Sequence, residues 1–193
     1  KAYKVCLVAM KDSILPNIAQ PILLFDFLKE SYDIGGVVSF LALEGVFILI
    51  NKHGLEYPSF YPKLYSLLTT KNLQSRHRST FLKLLTIFLK SPKLPHYIIT
   101  AFAKRLCRLA LYADPGVCTF VLAFVFNLLK RHPSAEMLVN RLPPKESGNL
   151  AFLDMKAFGP DTFVEDVDNI KQCGASDSCL WEIKDLKNHY SPQ

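Results

Sequence analysis

Apolar positions along this chain recur with a helical period, and prolines and glycines cut the pattern into segments. In Ser91–Leu111, Ile98, Ile99, Phe102, Leu106 and Leu109 share one face at about 100° per residue, while Lys104, Arg105 and Arg108 fall on a neighbouring arc. Pro95 suits a first helical position, where a backbone N–H would have no intrahelical partner, so the spacing predicts a helix beginning near Leu94. One side seeks a core and the other offers fixed positive charge.

Other segments follow the same rules. Residues 1–15 are ambiguous between strand and helix, with Val5, Leu7, Val8, Ala9, Ile14 and Leu15 apolar, and Pro16 ends them. Pro21 opens a helix striped by Ile22, Leu23, Phe25 and Leu28, which Gly35 and Gly36 break. Val37–Lys52 is apolar almost all round and predicts a buried helix closed at Gly54. Its apolar run is shorter than the roughly 20 residues of a membrane span and contains Glu44. Phe60–Leu68 follows, with Tyr57, Phe60, Tyr61 and Tyr65 as an aromatic set of the kind that most often fills cores, although stacking on RNA bases uses the same side chains. A basic, polar connection, Lys71–Arg78, leads to Thr80–Lys90, striped by Phe81, Leu84, Leu85 and Phe88. Asp114 and Pro115 are placed as N-cap and first position of a helix that is apolar on all faces over Val117–Leu129 and is closed by Lys130, Arg131 and His132. A short helix from Pro133 through Arg141 completes the series.

These hairpins recur with a step of about 40 residues, the period of HEAT-like or armadillo-like arrays. The expected fold class is all-α: a helical-hairpin repeat array of the α-solenoid kind over residues 1–141. Over 142–177 the texture changes to an acidic irregular loop, partly disordered or docked, in which Glu146, Asp154, Asp161, Glu165, Asp166, Asp168 and Asp177 outnumber Lys145, Lys156 and Lys171, and the basic half is expected to be able to fold this loop across itself. Residues 178–193 return to helical spacing through Leu180, Trp181, Ile183 and Leu186, a terminal helix that packs on the array or on a partner.

Composition narrows the function. Half of the 193 residues are hydrophobic and the formal charge is +6, with fourteen Lys and Arg in residues 51–141 against Glu56, Asp114 and Glu136. Acidic partners, RNA among them, fit such a surface. The five cysteines, Cys6, Cys107, Cys118, Cys173 and Cys179, form no CxxC pair and stand in no zinc-finger spacing, so they read as packing thiols of a reducing compartment, and neither metal nor cofactor is expected. His53, His77, His96, His132 and His189 fall at helix ends or beside basic residues, where imidazoles complement the helix dipole or hydrogen-bond a terminal carbonyl. With no GxxxxGK loop, no GxSxG elbow and no nucleophile set beside a base, no catalytic residue and no small-molecule substrate is expected. Lacking an initiating Met, a signal peptide and a spanning run, the chain reads as an excised piece without membrane association.

Three runs carry a resemblance: EGVFILINKHGLEYPSFYPKLYSLL from Glu44, FLKSPKLPHYIITAFAKRLCRLAL from Phe88 and NLLKRHP from Asn127. With Ser178–Pro192, a Ser-x-Leu-Trp-Glu helix running to His-Tyr-x-Pro, they resemble the CCAAT-box-binding-factor and nucleolar complex family from about Ser31 onward, lapsing in the acidic loop. The resemblance implies a non-enzymatic helical repeat protein of the nucleolus, acting in early maturation of the small ribosomal subunit. It further implies association with a nucleolar protein 14-like partner and entry into the precursor particle on pre-ribosomal RNA. Family members extend on both sides, so the chain is expected to be a carboxy-terminal part.

Two functions compete. In a protein scaffold, apolar helix faces together with Trp181, Leu180 and Tyr190 dock a partner protein. In a direct pre-ribosomal RNA-binding module, Arg76, Arg78, Lys104, Arg105, Arg108, Lys130 and Arg131 contact phosphates. Trp181 has a third use, pinning the last helix onto the repeats. CCAAT-box DNA binding has the family name alone behind it, with no recognition helix or zinc module in the sequence.

Overall fold

A computed structural model describes residues 2–75, 78–92, 94–139, 161–165, 167 and 169–186. All regular structure among them is helical, in two compact units.

The first unit comprises Lys1–Leu67 and Ser75–Phe88. The ambiguous start is helical: α1 (Ala2–Ala9) runs through a π turn, Met10–Ile14, into a 3₁₀ turn, Leu15–Asn17, that contains Pro16. Its inward residues are Leu7, Met10 and Leu15. The next segment opens as a 3₁₀ turn, Pro21–Leu24, before α2 (Phe25–Asp33). Three residues per turn rotate the entry off the face that α2 buries. Ile22 and Leu23 are therefore exposed rather than part of the expected stripe, while Pro21 and Leu28 are buried.

Gly35 and Gly36 break the chain as anticipated, and α3 (Gly36–His53) ends at Gly54 in a left-handed cap whose N–H returns to the Leu49 carbonyl. α3 is the core helix of this unit, packed by α1, α2 and α6 (Arg78–Phe88). It can be approached so closely because Gly45 has no side chain: a Cβ there would lie 2.8 Å from a terminal methyl of the fully buried Leu28. α4 (Phe60–Ser66) adds the expected aromatic core. Phe47 and Phe88 rings lie 4.7 Å apart, Phe60 meets Phe88 edge-on at 5.2 Å, and Phe40 stacks on Phe81 at 4.6 Å. Half-buried Tyr61 turns its hydroxyl to the Phe88 carbonyl, and burial pushes the phenol up to about 12.

The second unit comprises Leu68–Gln74 and Leu89–Gln193. The basic connection contains a short helix, α5 (Thr70–Leu73), whose N-cap Thr69 accepts a hydrogen bond from the Asn72 N–H. α7 (His96–Ala110) follows with Pro95 one place earlier than expected, at the N-cap. α8 (Pro115–Arg131) packs on α7 and is followed by a 3₁₀ segment, Pro133–Leu138; residues 140 and 141 of the predicted short helix lie outside the described residues. From Asp161 the chain lies along α7 through 3₁₀ turns Ile170–Gln172 and Ala175–Asp177 to α9 (Trp181–Asp185).

The roles expected of α7 and α8 are exchanged. α8 was expected to be enclosed all round, yet Phe126 is 67% exposed and Thr119, Ala123, Asn127 and Lys130 share its open side. α7 is the wrapped helix, because residues distant in sequence cover the arc that its basic residues seemed to hold in solvent. The covering strap is shaped at Gly174, whose φ of 68° suits glycine and whose absent Cβ would collide with the Thr162 carbonyl oxygen. The Thr162 hydroxyl donates to the Gly174 carbonyl at 3.1 Å and the Val164 N–H to the Cys173 carbonyl at 2.9 Å, folding the strap on itself.

Gly45→Val should destabilise the chain by about 1–3 kcal/mol through overpacking against Leu28. Urea unfolding of Gly45→Val, Leu28→Ala and the double variant checks this. The combined loss should be smaller than the two single losses added together, since the truncated side chain vacates the space that the valine needs.

Candidate functional site: a buried ion cluster on α7

Thr100, Ala101, Ala103 and Cys107 are small or compact residues of α7, and over them the strap can approach the helix backbone closely. Ala175 is buried in this contact and the Ser176 hydroxyl lies 3.2 Å from that of Thr100. Lys104 rises from this floor with its side chain wholly buried. A buried ammonium is strongly unfavourable unless each of its three N–H bonds finds an acceptor. Here Nζ lies 2.7 Å from Glu182 Oε1 and 2.9 Å from Asp161 Oδ2, and donates to the Cys179 carbonyl at 2.6 Å.

Arg108, one turn on, supplies the second cation. Its Nε donates to Glu182 Oε1 at 3.0 Å and its second terminal nitrogen to Asp161 Oδ2 at 2.7 Å. The four groups balance in charge, and aromatic rings enclose them: the Trp181 ring centre is 5.3 Å from Lys104 Nζ and 5.0 Å from Arg108 Cζ, with Phe163 slightly further out.

Asp161 is the most heavily bonded member. Its Oδ1 accepts from the Ser178 hydroxyl at 2.6 Å and the Phe163 N–H at 3.0 Å, and Oδ2 accepts from Trp181 Nε1 at 2.7 Å as well as from the two cations. Burial by itself would raise its carboxyl. The bonds from Ser178, Trp181, Lys104 and the Phe163 N–H outweigh that and hold it far below the ordinary carboxylate range. Glu182, whose side chain is fully buried, has a second oxygen, Oε2, that accepts no hydrogen bond among the described residues. Below it, burial pushes the Cys107 thiol up to about 12, with Glu182 adding to the rise and Lys104 opposing it, so the sulfur stays protonated and unreactive.

The seven residues expected to meet phosphates are therefore distributed unequally. Lys104 and Arg105 are buried: Arg105 donates from Nε to the Leu68 carbonyl at 2.9 Å and from a terminal nitrogen to the Glu165 carbonyl at 3.0 Å. Arg108 is committed to the cluster. The arc assigned to solvent is turned inward, since acidic and carbonyl acceptors from the strap neutralise it at short range. Lys130 and Arg131 are exposed in the last turn of α8, Arg78 opens α6, and Arg76 lies outside the described residues.

Of the residues expected at a partner interface, Leu180 is buried and its N–H bonds to the Leu138 carbonyl, Trp181 is half-buried over the cluster, and Tyr190 lies outside the described residues. Trp181 thus takes up its third use and pins the last helix. The described histidines keep to helix ends: His132 follows α8 beside Arg131 and is buried, where burial lowers its pKa, a hydrogen bond to the Leu89 backbone opposes and Arg131 adds to the lowering. His53 and His96 are exposed, and His96 begins its helix instead of ending it; His77 and His189 lie outside the described residues.

Sequence reasoning reached the acidic loop that holds Asp161 as something the basic half folds across itself, but it did not pair Asp161 with a particular cation and missed Glu182. A signal for it was present, because three of the four neighbours of Lys104 on its helix face, Thr100, Ala101 and Cys107, are compact and only Arg108 is long and polar. No His, Cys, Asp or Glu group of metal-binding size is gathered among the described residues, and no helix among them is long and apolar enough to cross a membrane.

The fold and this site together define a helical protein whose central charges are committed to its own packing. Residues 39–193 match the model of the CBF/Mak21 family, and the chain belongs to that family. It is 46% identical over 191 residues to the nucleolar complex protein 4 homolog of Mus musculus and 45% identical over 191 residues to that of Homo sapiens, in each case over 99% of this chain and 35% of the relative. A plant protein, NUCLEOLAR COMPLEX ASSOCIATED 4 of Arabidopsis thaliana, is 40% identical over 201 residues, covering 98% of this chain and 35% of its own length. The chain spans about a third of the length of the curated relatives it matches. Its resemblance to nucleolar complex protein 4 holds from mammals to a plant, and its localisation is nucleolar.

Two measurements test the cluster. Lys104→Met leaves Glu182 buried against fewer cations and should cost about 3–5 kcal/mol, whereas Lys104→Met combined with Glu182→Leu should cost less than Lys104→Met alone. Urea unfolding reads both. Asp161 has a folded pKa below its unfolded value near 3.8, so its stabilisation is complete above that value and drains away as pH falls below it. Thermal unfolding of Asp161→Asn between pH 7 and pH 3 should show a lower Tm at neutral pH and a shallower decline in acid than the parent chain.

Proposed function

We propose that this chain is the part of a non-catalytic nucleolar scaffold that acts in small ribosomal subunit biogenesis, in pre-ribosomal RNA processing and 40S assembly, through a protein partner within the precursor particle. The single observation that carries the choice of scaffold over nucleic-acid module is the inward commitment of Lys104, Arg105 and Arg108. Phosphate binding needs cations that can exchange water and counterions for phosphate oxygens. An ammonium with three internal acceptors cannot do so without dismantling the strap. Family membership and the names of the relatives support the nucleolar setting.

In this reading residues 1–141 form an array of helical hairpins of the solenoid kind, 142–177 a connecting segment laid partly on α7, and 178–193 a terminal element. The hairpin step in the sequence and the all-helical elements support it. A nucleolar protein 14-like protein is the expected partner, and pre-ribosomal RNA enters the contact within the particle. Direct RNA binding is the second reading, resting on Lys130, Arg131, Arg78 and Arg76, the last of which lies outside the described residues.

Co-purification of the longer parent protein from nuclear extract, with and without nuclease and across a salt series, separates the two. The scaffold reading expects a protein partner that survives nuclease and 0.5 M salt, a range in which a phosphate-dominated complex loses affinity by about a thousandfold or more. Loss of every partner on nuclease treatment would sink it.

A further inference from the structure

We propose that the outward face of α8 is the docking surface for an acidic, amphipathic helix of a partner protein; this deepens the scaffold reading and rests on it. α8 is apolar enough to be enclosed, and one side of it is. Val117, Val121, Val125 and Leu128 are buried. The other side is open along its whole length: Thr119, Ala123, Phe126, Asn127 and Lys130 recur at helical spacing and are all exposed. Phe126 stands in the middle of this stretch at 67% exposure, although Phe102, Phe124 and Phe163 of the same unit are buried. A large aromatic held on a rigid helix, flanked by small or short side chains, is the arrangement from which interface anchors are drawn.

Charge selects the occupant. α8 contains no acidic residue, and its last turn exposes Lys130 and Arg131. The complementary surface must therefore carry Asp or Glu opposite that end and an apolar stripe opposite Phe126 and Ala123. About five turns of helix would span the 17 residues of α8. Two alternatives lack this chemistry. Residues 140–160 of the same chain hold Arg141, Lys145 and Lys156 against Glu146 and Asp154, an excess of positive charge. A second copy would bring another acid-free helix, with a net charge of +6 on each chain opposing the approach.

The probe is the salt-tolerant partner recovered in the nuclease-treated co-purification, bound to the parent protein carrying a photo-crosslinking phenylalanine analogue at position 123. Irradiation should join position 123 to one segment of that partner with helical apolar spacing and Asp or Glu at one end. Phe126→Asp should weaken the partner's binding at least about tenfold, and Lys130→Glu with Arg131→Glu should weaken it and reduce its salt dependence. Because all three side chains are exposed, Tm should stay unchanged in these variants. An adduct to residues 140–160, to a second copy or to RNA overturns the proposal, as does full affinity in Phe126→Asp. If no salt-tolerant partner is recovered, the scaffold reading fails and this surface falls with it; if the partner is retained but indifferent to Phe126→Asp, the docking surface alone is lost.

Discussion

An ammonium ion buried without water has to be met on all sides, and the second unit is built around meeting one. Lys104 sits on a helix where neither the preceding nor the following turn can supply an acceptor, so its three partners come from residues 57 to 78 positions later. Cys179 offers a carbonyl, Asp161 and Glu182 offer carboxylates, and Arg108 is drawn in because two carboxylates facing one lysine would leave a buried excess of negative charge. The small residues beside Lys104, the glycine at 174 and the rings of Phe163 and Trp181 are what let the strap come close enough to close the arrangement.

This closure changes what the chain can do. A helix that looks like a cationic surface becomes an internal beam, and what the second unit leaves outside is a different helix, largely apolar, with cations only at its end. The proposed scaffold role rests on that exchange: the central charges of the second unit are turned inward, and Phe126 of α8 is left outside. The first unit encloses its own central helix mainly by packing, since α3 is surrounded by rings and by the Leu28–Gly45 contact and its only basic residues are exposed in its last turn.

Much of the fold was legible because its determinants are local. Gly54 needed only to follow an apolar helix to be read as its cap, and Pro115 only to precede one. The ambiguous residues 1–15 and the misassigned stripe at Ile22 and Leu23 mark where that logic thins, because a π turn and a 3₁₀ turn shift side chains by fractions of a turn that no 3.6-residue period reports. In the ion cluster the charge balance pointed to the acidic loop, but Glu182 and the pairing itself were illegible for a different reason. Hydrophobic periodicity says which face of a helix is buried against apolar neighbours, but it assigns charged residues to solvent by default. Whether Lys104 faces water or Glu182 is decided by chain that returns more than fifty residues later.

The geometry around Lys104 also bears on how such a sequence can drift. Three acceptors converge on one small nitrogen at under 3 Å, a point-like demand that a planar guanidinium, with its donors spread over a fork, cannot reproduce in the same space. Arginine, elsewhere the mildest exchange for lysine, is here among the harshest. Nor can either carboxylate be lost singly without stranding a cation. Positions 104, 108, 161 and 182 thus form one energetic unit, in which what any one substitution costs depends on the residues at the other three.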